Sequence, residues 1–366
     1  MKGAMTAPEL ALERLVPELA GRIARIALTT LPTPVQRLER LGRAHRIERL
    51  WMKRDDQSCA LYGGNKPRKL EFLLADARAR GRRSVMTFGG IGTHHGLATT
   101  ICARAAGLRT ILVLLPQPVT ESVRRCLSLD HAYGAEMRLA RTLPGVVATA
   151  LLRWARGLLR GDRPYIIMTG GTSAIGAIGF VNAACELAEQ VHAGDLPEPD
   201  AIFVPVGSGG TVAGLMLGLR LAGLRSRVVG VLVTDILPPS ARSLARLARA
   251  TLRRLRRAAP TCPEVAVSEA DVTLVNGYLG RGYGDPTPRA EATIKLVADL
   301  EGIQLDTTYT AKSMAALLDL ARQPAYRDRT LLFWNTYSSV DPAAALEQLP
   351  DFHELPRAFH KYFSKQ

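Results

Sequence analysis

The stretch LYGGNKPRKLEF, residues 61–72, sets Lys66 behind Gly63, Gly64 and Asn65 and ahead of Pro67. The chain carries 40 Arg and only 8 Lys, so arginine is its usual source of positive charge. Arginine stays protonated and forms no imine, whereas a lysine amine can lose its proton and attack a carbonyl. A lysine held by glycines where an amphipathic run begins is therefore a candidate nucleophile. On these residues alone, a surface cation beside Arg68 and Lys69 is equally open.

Two further clusters could bind anions. In VPVGSGGTVAGL an apolar run ends in Gly207, Ser208, Gly209, Gly210 and Thr211 before a helical pattern opens. Glycines let the backbone approach a ligand, free amides at a helix start point at an anion, and two hydroxyls add donors. No GK[ST] follows and the spacing is not GxGxxG, so a small phosphate group fits better than a nucleoside triphosphate. TFGGIGTHHGLATT repeats the arrangement with Gly89, Gly90, Gly92, Thr93, His94 and His95, where helix-start amides and a hydroxyl suit a carboxylate. Adjacent histidines diverge and no further ligand follows at metal spacing, so no metal site is expected. Tyr283, between two glycines, and Tyr309, in LDTTYTAKSM, are candidate site tyrosines. A reactive lysine and a phosphate cup are what pyridoxal phosphate needs, and a carboxylate cup is what an amino-acid substrate needs.

The elements that would position these residues alternate. Strand-like runs SVMTFGG (84–90), RTILVLLP (109–116), AEMRLA (135–140), YIIMTGG (165–171), AIFVPV (201–206), RVVGVLVTD (227–235) and TLLFWNT (330–336) are separated by helical runs of ten to fifteen residues or more. That order specifies parallel sheets with ligands at the carboxyl ends of the strands. At 366 residues, two domains or one large α/β unit is expected, and with no linker apart from the arginine stretch any second domain would be inserted in the first.

The order of motifs also matches a family. LPTPVQRLERL (31–41), KRDD (53–56), GGNKPRKLEFLLADA (63–77), GGIGTHHGLAT (89–99), GGTSAIGAIGFVNAACELAEQ (170–190), GSGGTVAGL (207–215), GYGDPTPRAEA (282–292) and LDTTYTAKSM (305–314) resemble the D-cysteine desulfhydrase and 1-aminocyclopropane-1-carboxylate deaminase family over residues ~30 to 340. The resemblance implies the tryptophan-synthase-β-like fold (fold type II): two open, mainly parallel three-layer α/β/α domains. The large, cofactor-binding domain would be 1–77 with 171–366, and the small inserted domain 78–170. It implies pyridoxal 5'-phosphate on Lys66 as a Schiff base, with Lys66 also moving the Cα proton. Gly207, Ser208, Gly209, Gly210 and Thr211 would hold the phosphate, with Asn65 and His94 beside the cofactor. Thr93 would grip the substrate carboxylate or move a proton, with Tyr283 and Tyr309 as active-site tyrosines. Thr336 would face the pyridine nitrogen, where a hydroxyl leaves that nitrogen unprotonated and favours loss of a β-substituent over a long-lived carbanion.

Departures from the family pattern bear on substrate. Gly92, Thr93 and His94 replace Gln, Ser and Asn; Asn335, Thr336, Tyr337 and Ser338 replace His-Thr-Gly-Gly; and Thr310 replaces the glutamate of the ring-opening branch. The implied activity is a β-eliminating lyase on a small, D-configured amino acid. A racemase, a β-replacement synthase or a catalytically weak cofactor-binding scaffold are the alternatives.

Composition fits a cytoplasmic enzyme. Five cysteines without CxxC spacing favour a reducing compartment, and the early acidic residues Glu9, Glu13 and Glu18 break a signal-peptide pattern. No apolar run reaches the roughly 18 residues of a membrane span. The net charge of +15 is partly concentrated in ARSLARLARATLRRLRRA (241–258), where Arg242, Arg246, Arg249, Arg253 and Arg256 form one helical stripe. With 5% aromatic residues a nucleic-acid surface is not expected, and the stripe is read as a solvent-facing side of a packed helix. A homodimer acting on a small amino acid, with no membrane or nucleic-acid partner, completes the expectation.

Overall fold

A computed structural model of the chain describes residues 8–363. Ten strands form two sheets: β1 (Val35–Arg37), β2 (Leu50–Lys53), β3 (Ser84–Gly90), β4 (Arg109–Leu115), β5 (Glu136–Leu139), β6 (Tyr165–Ile166), β7 (Ala201–Val206), β8 (Arg227–Leu232), β9 (Val272–Val275) and β10 (Leu331–Trp334). The six-stranded sheet runs β1-β2-β10-β7-β8-β9 and the four-stranded sheet β5-β4-β3-β6. Among the described residues, only the β1–β2 pair is antiparallel. Every residue of β7 is buried, as a strand covered on both faces by helices must be, and its composition is accordingly apolar throughout.

Helices follow most strands, and their caps are legible. Ser173 opens Ala174–His192 by accepting from the Gly176 amide, and Thr120 opens Glu121–Ala132 by accepting from Val123. Two features differ from the sequence-based expectation. YIIMTGG is a strand only at Tyr165–Ile166, because Gly170 and Gly171 take φ of 68° and 67° and turn the chain out of the sheet. Strands β1, β2 and β9 are too short to show alternation and are held by pairing instead, β2 with Leu50 opposite Leu331 and Lys53 opposite Trp334.

The helix Lys66–Ala79 belongs to both cores. Phe72 packs into the cluster of the larger sheet, while Leu70, Leu73, Leu74 and Ala77 pack with Leu97 and Ile101 of the helix behind β3. Arg68 and Lys69 are consequently buried, not the surface cations that their sequence neighbourhood allows. The chain's end returns to the smaller sheet, where Leu355, Phe359 and Tyr362 join Leu112, Leu114 and Val123.

Beneath the first turn of this helix lies a closed ionic cluster. Arg68 donates to Asp55 at 2.7 and 3.0 Å and to both oxygens of Glu186 at 3.0 Å. Lys53 reaches Glu186 at 2.6 Å, and Trp334 Nε1 donates to Asp55 at 2.7 Å. Burial pushes the Glu186 carboxyl up, but Arg68 and Lys53 prevail and hold it at about 2. Helix Ala174–His192 comes close enough to bring Glu186 there because residue 179 is glycine: a Cβ at that position would lie 2.0 Å from the Arg68 carbonyl. Arg68→Met would leave two buried carboxylates facing one lysine. It is expected to cost roughly 3–5 kcal/mol, seen as an earlier denaturant midpoint; a loss below about 1 kcal/mol would mean that the cluster is not what holds this corner.

Candidate active site

The carboxyl ends of strands from both sheets converge on Lys66. β10 leads into Asn335 and Thr336, β7 into Gly207, and β3 into Thr93 and His94. Asn65 stands at the N-cap position of the lysine's helix with its side chain turned to other partners, and its own amide donates to the Thr336 carbonyl at 3.2 Å. Lys66 Nζ donates to Asn65 Oδ1 at 2.8 Å, and Asn65 Nδ2 donates to Thr211 Oγ1 at 3.1 Å. A single asparagine thus ties the amine to the glycine loop. Burial lowers the Lys66 amine from its ordinary 10.5 to about 8, with Asp306 pulling the other way.

The glycine loop has the form of an anion cup. Gly209 sits at φ 85°, and a Cβ there would meet Leu244 at 2.5 Å, so only glycine lets the loop lie on the following helix. Leu244 belongs to the arginine-rich helix Ala241–Ala258. That helix buries Leu244, Ala248, Thr251 and Leu255 and turns Arg242, Arg246, Arg249 and Arg253 outward, with Arg256 half-buried against Glu264. Among the described residues, the amides of Ser208, Gly209, Gly210 and Thr211 have no protein acceptor. Behind the cup, Ser208 Oγ and Thr172 Oγ1 are 2.6 Å apart, and Lys69 Nζ donates to the Gly170 carbonyl at 3.1 Å.

Opposite stands the second cup. Thr93 Oγ1 accepts from the Gly96 amide at 3.3 Å, which leaves its own proton to donate, and the amides of His94 and His95 have no protein acceptor among the described residues. The two histidines diverge: His94 Nδ1 lies 2.9 Å from Tyr62 OH, and His95 Nε2 lies 3.0 Å from Thr87 Oγ1. Burial holds both imidazoles below their usual range. Tyr309 stands with its ring 5.9 Å from Lys66 Nζ, and its hydroxyl is bonded to that of Tyr283. Burial raises both phenols, so both remain protonated at neutral pH.

With that geometry in place, similarity to known proteins is decisive. Residues 26–336 match the family described as pyridoxal-phosphate dependent enzyme. The chain belongs to that family. It is 34% identical over 321 residues to the D-cysteine desulfhydrase of Klebsiella pneumoniae (strain 342), covering 86% of this chain and 94% of that protein. It is 33% identical over 312 residues to the D-cysteine desulfhydrase of Salmonella schwarzengrund (strain CVM19633), covering 84% and 91%. A crystal structure described as an ACC deaminase homologue superposes with a TM-score of 0.74 at 32% identity over 87% of this chain and 93% of that one. The fold is fold type II, and in chemical terms a buried amine tied to a loop of open amides suits the aldehyde and phosphate of pyridoxal phosphate.

Sequence reasoning brought Lys66, Asn65, Thr93, His94, Gly207–Thr211, Tyr283, Tyr309 and Thr336 forward; the structure links Lys66, Asn65, Thr211 and the Thr336 carbonyl by hydrogen bonds and sets Tyr309, bonded to Tyr283, beside Lys66, whereas Thr93 and His94 bond to other partners. Sequence reasoning passed over Asp306, whose carboxylate accepts from the amides of Thr308, Tyr309 and Thr310 and from Thr310 Oγ1 at 2.6–2.9 Å. An aspartate just ahead of a helix start was the available signal. It also passed over Lys69, one turn beyond Lys66 and so on the same helix face.

The lowered Lys66 amine has a direct consequence. Below about pH 8 it is mostly protonated, with a free-amine fraction that falls about tenfold per pH unit; above it the free amine predominates. Reductive methylation of cofactor-free protein, followed by peptide mass, is expected to label Lys66 with a midpoint near pH 8; a midpoint at the ordinary lysine value would contradict the burial argument.

Proposed function

We propose that this enzyme is a lyase that eliminates a β-substituent from a small D-amino acid such as D-cysteine, giving an α-keto acid, ammonia and the leaving group. The single observation that carries the proposal is the Lys66–Asn65–Thr211 chain, which ties one reactive amine to the glycine loop with its open amides. The D-cysteine desulfhydrase relatives, each covered over nine-tenths of their length, support the substrate class.

In this proposal, Gly207, Ser208, Gly209, Gly210 and Thr211 hold the cofactor phosphate with open amides and hydroxyls, and the Thr336 hydroxyl meets the ring nitrogen. Held there, pyridoxal phosphate supplies an electron sink for negative charge at the substrate Cα. Thr93 and the amides of His94 and His95 bind the substrate carboxylate and so fix which Cα substituent faces Lys66. With an amine at about 8, Lys66 both takes and returns the Cα proton near neutral pH. Tyr309, joined to Tyr283, keeps a proton ready for the departing group. His94, neutral and tied to Tyr62, contributes a hydrogen bond without a competing charge. Thr310 is buried and spends its hydroxyl on Asp306, so no free carboxylate stands at that position for ring opening. The two sheets are the basis for assigning a large domain (1–77 and 171–366) and a small one (78–170). Five buried, free cysteines agree with a cytoplasmic enzyme, and the same proposal takes it as a homodimer.

Enantiomer choice tests this assignment. Because the carboxylate and amine are both anchored, only one Cα hydrogen can face Lys66, and misplacement costs rate steeply. Purified enzyme is expected to release keto acid from D-cysteine or β-chloro-D-alanine at least about tenfold faster than from the L-forms or the cyclopropane acid. Keto acid from L-amino acids alone, or the cyclopropane acid as best substrate, would overturn it.

A further inference from the structure

A cavity of about 500 Å³, more than a three-carbon amino acid needs, lies beside His94, with Tyr62 and Tyr337, which both contact His94, also on its wall. That volume falls in the range of pockets for much larger ligands, about 300–1,000 Å³. Its far side comes from two separate parts of the chain, the helix Glu121–Ala132 and the segment after β10. There Arg125 Nη2 donates to both carboxylate oxygens of Asp341, at 2.6 and 2.7 Å. The two side chains are 45% and 56% exposed, so the pair is solvent-screened and exchanges partners at little cost.

This pair restricts what the cavity can hold. An anionic tail would gain Arg125 but face Asp341; a cationic tail would gain Asp341 but face Arg125. A neutral tail would use neither charge. A group bearing a carboxylate and an ammonium together satisfies both partners, replacing one ion pair by two, and an amino-acid head is such a group. Ser122 and Gln304, also on the cavity wall, add neutral polar surface.

We propose that the cavity is a subsite for a second amino-acid head, so that two amino acids bridged through sulfur at their β-carbons are substrates. The inference rests on the β-elimination reading given above. One head lies at Lys66 and loses its Cα proton. Its Cβ–S bond breaks, the sulfur departs with the electron pair and takes a proton, and the second head remains at Arg125 and Asp341 as the leaving group. For lanthionine, one water is consumed and the products are pyruvate, ammonia and cysteine.

The test compares holoenzyme on meso-lanthionine and on β-chloro-D-alanine, which has no second head. Both are expected to yield pyruvate, and meso-lanthionine, cleaved at its D-centre, is expected to release L-cysteine. Arg125→Gln and Asp341→Asn should each lower kcat/KM for meso-lanthionine by on the order of tenfold while leaving β-chloro-D-alanine within about twofold. Turnover of β-chloro-D-alanine without meso-lanthionine would overturn the subsite alone, as would variants that affect both substrates equally or neither. Failure of both substrates with the wild-type protein would overturn β-elimination itself, and the subsite with it.

Discussion

Two cations and two carboxylates, Arg68 and Lys53 with Asp55 and Glu186, are buried together directly under the reactive turn. Such a group stabilises little compared with apolar packing, but removing any member strands a charge where water cannot reach it. The geometry is therefore all-or-none. It joins β2, β10 and two helices, and Lys66 sits two residues before Arg68 on the same turn. The positions of Asn65 and Thr336 follow from it, since the Asn65 amide is tied to the end of β10. The reactive amine is placed by a rigid foundation and by no loop of its own.

Burial then does two different things to neighbouring groups. It pushes Lys66 down toward neutrality and pushes Tyr283 and Tyr309 up. One environment thus provides a base and proton donors that coexist at the same pH. Lys69 is lowered as well, by burial and then by the charge of Lys66, and its bond to the Gly170 carbonyl fixes it behind the anion cup. Asn65 is the hinge of this arrangement, because it accepts from the amine with one atom and donates to the cup with the other.

Much of this was legible in the amino-acid sequence, for physical reasons that can be named. The strands β3, β4, β7 and β8 are apolar runs bounded by turn residues, and parallel burial leaves that mark. Lys66 and the Gly207–Thr211 loop were visible because glycine and lysine are chosen there for backbone approach and amine chemistry. What stayed hidden depends on distant pairing. The burial of Arg68 and Lys69 stayed hidden because no local pattern reveals Asp55, Glu186 or Gly170 as partners. β2 shows no periodicity in four residues, and YIIMTGG read as a longer strand because its apolar start concealed two left-handed glycines. Asp306 was passed over since its role is to orient a helix start, and the Arg125–Asp341 pair lies 216 residues apart in the chain.

The placement of Lys66 is open to a direct measurement. Holoenzyme reduced with borohydride, digested and mapped by mass spectrometry is expected to carry the pyridoxyl group on Lys66 and on no other lysine. The pyridoxyl group on Lys69, which lies one turn away, or on Lys312, which donates to the Leu279 carbonyl at 2.6 Å, would show that the buried cluster positions a different amine.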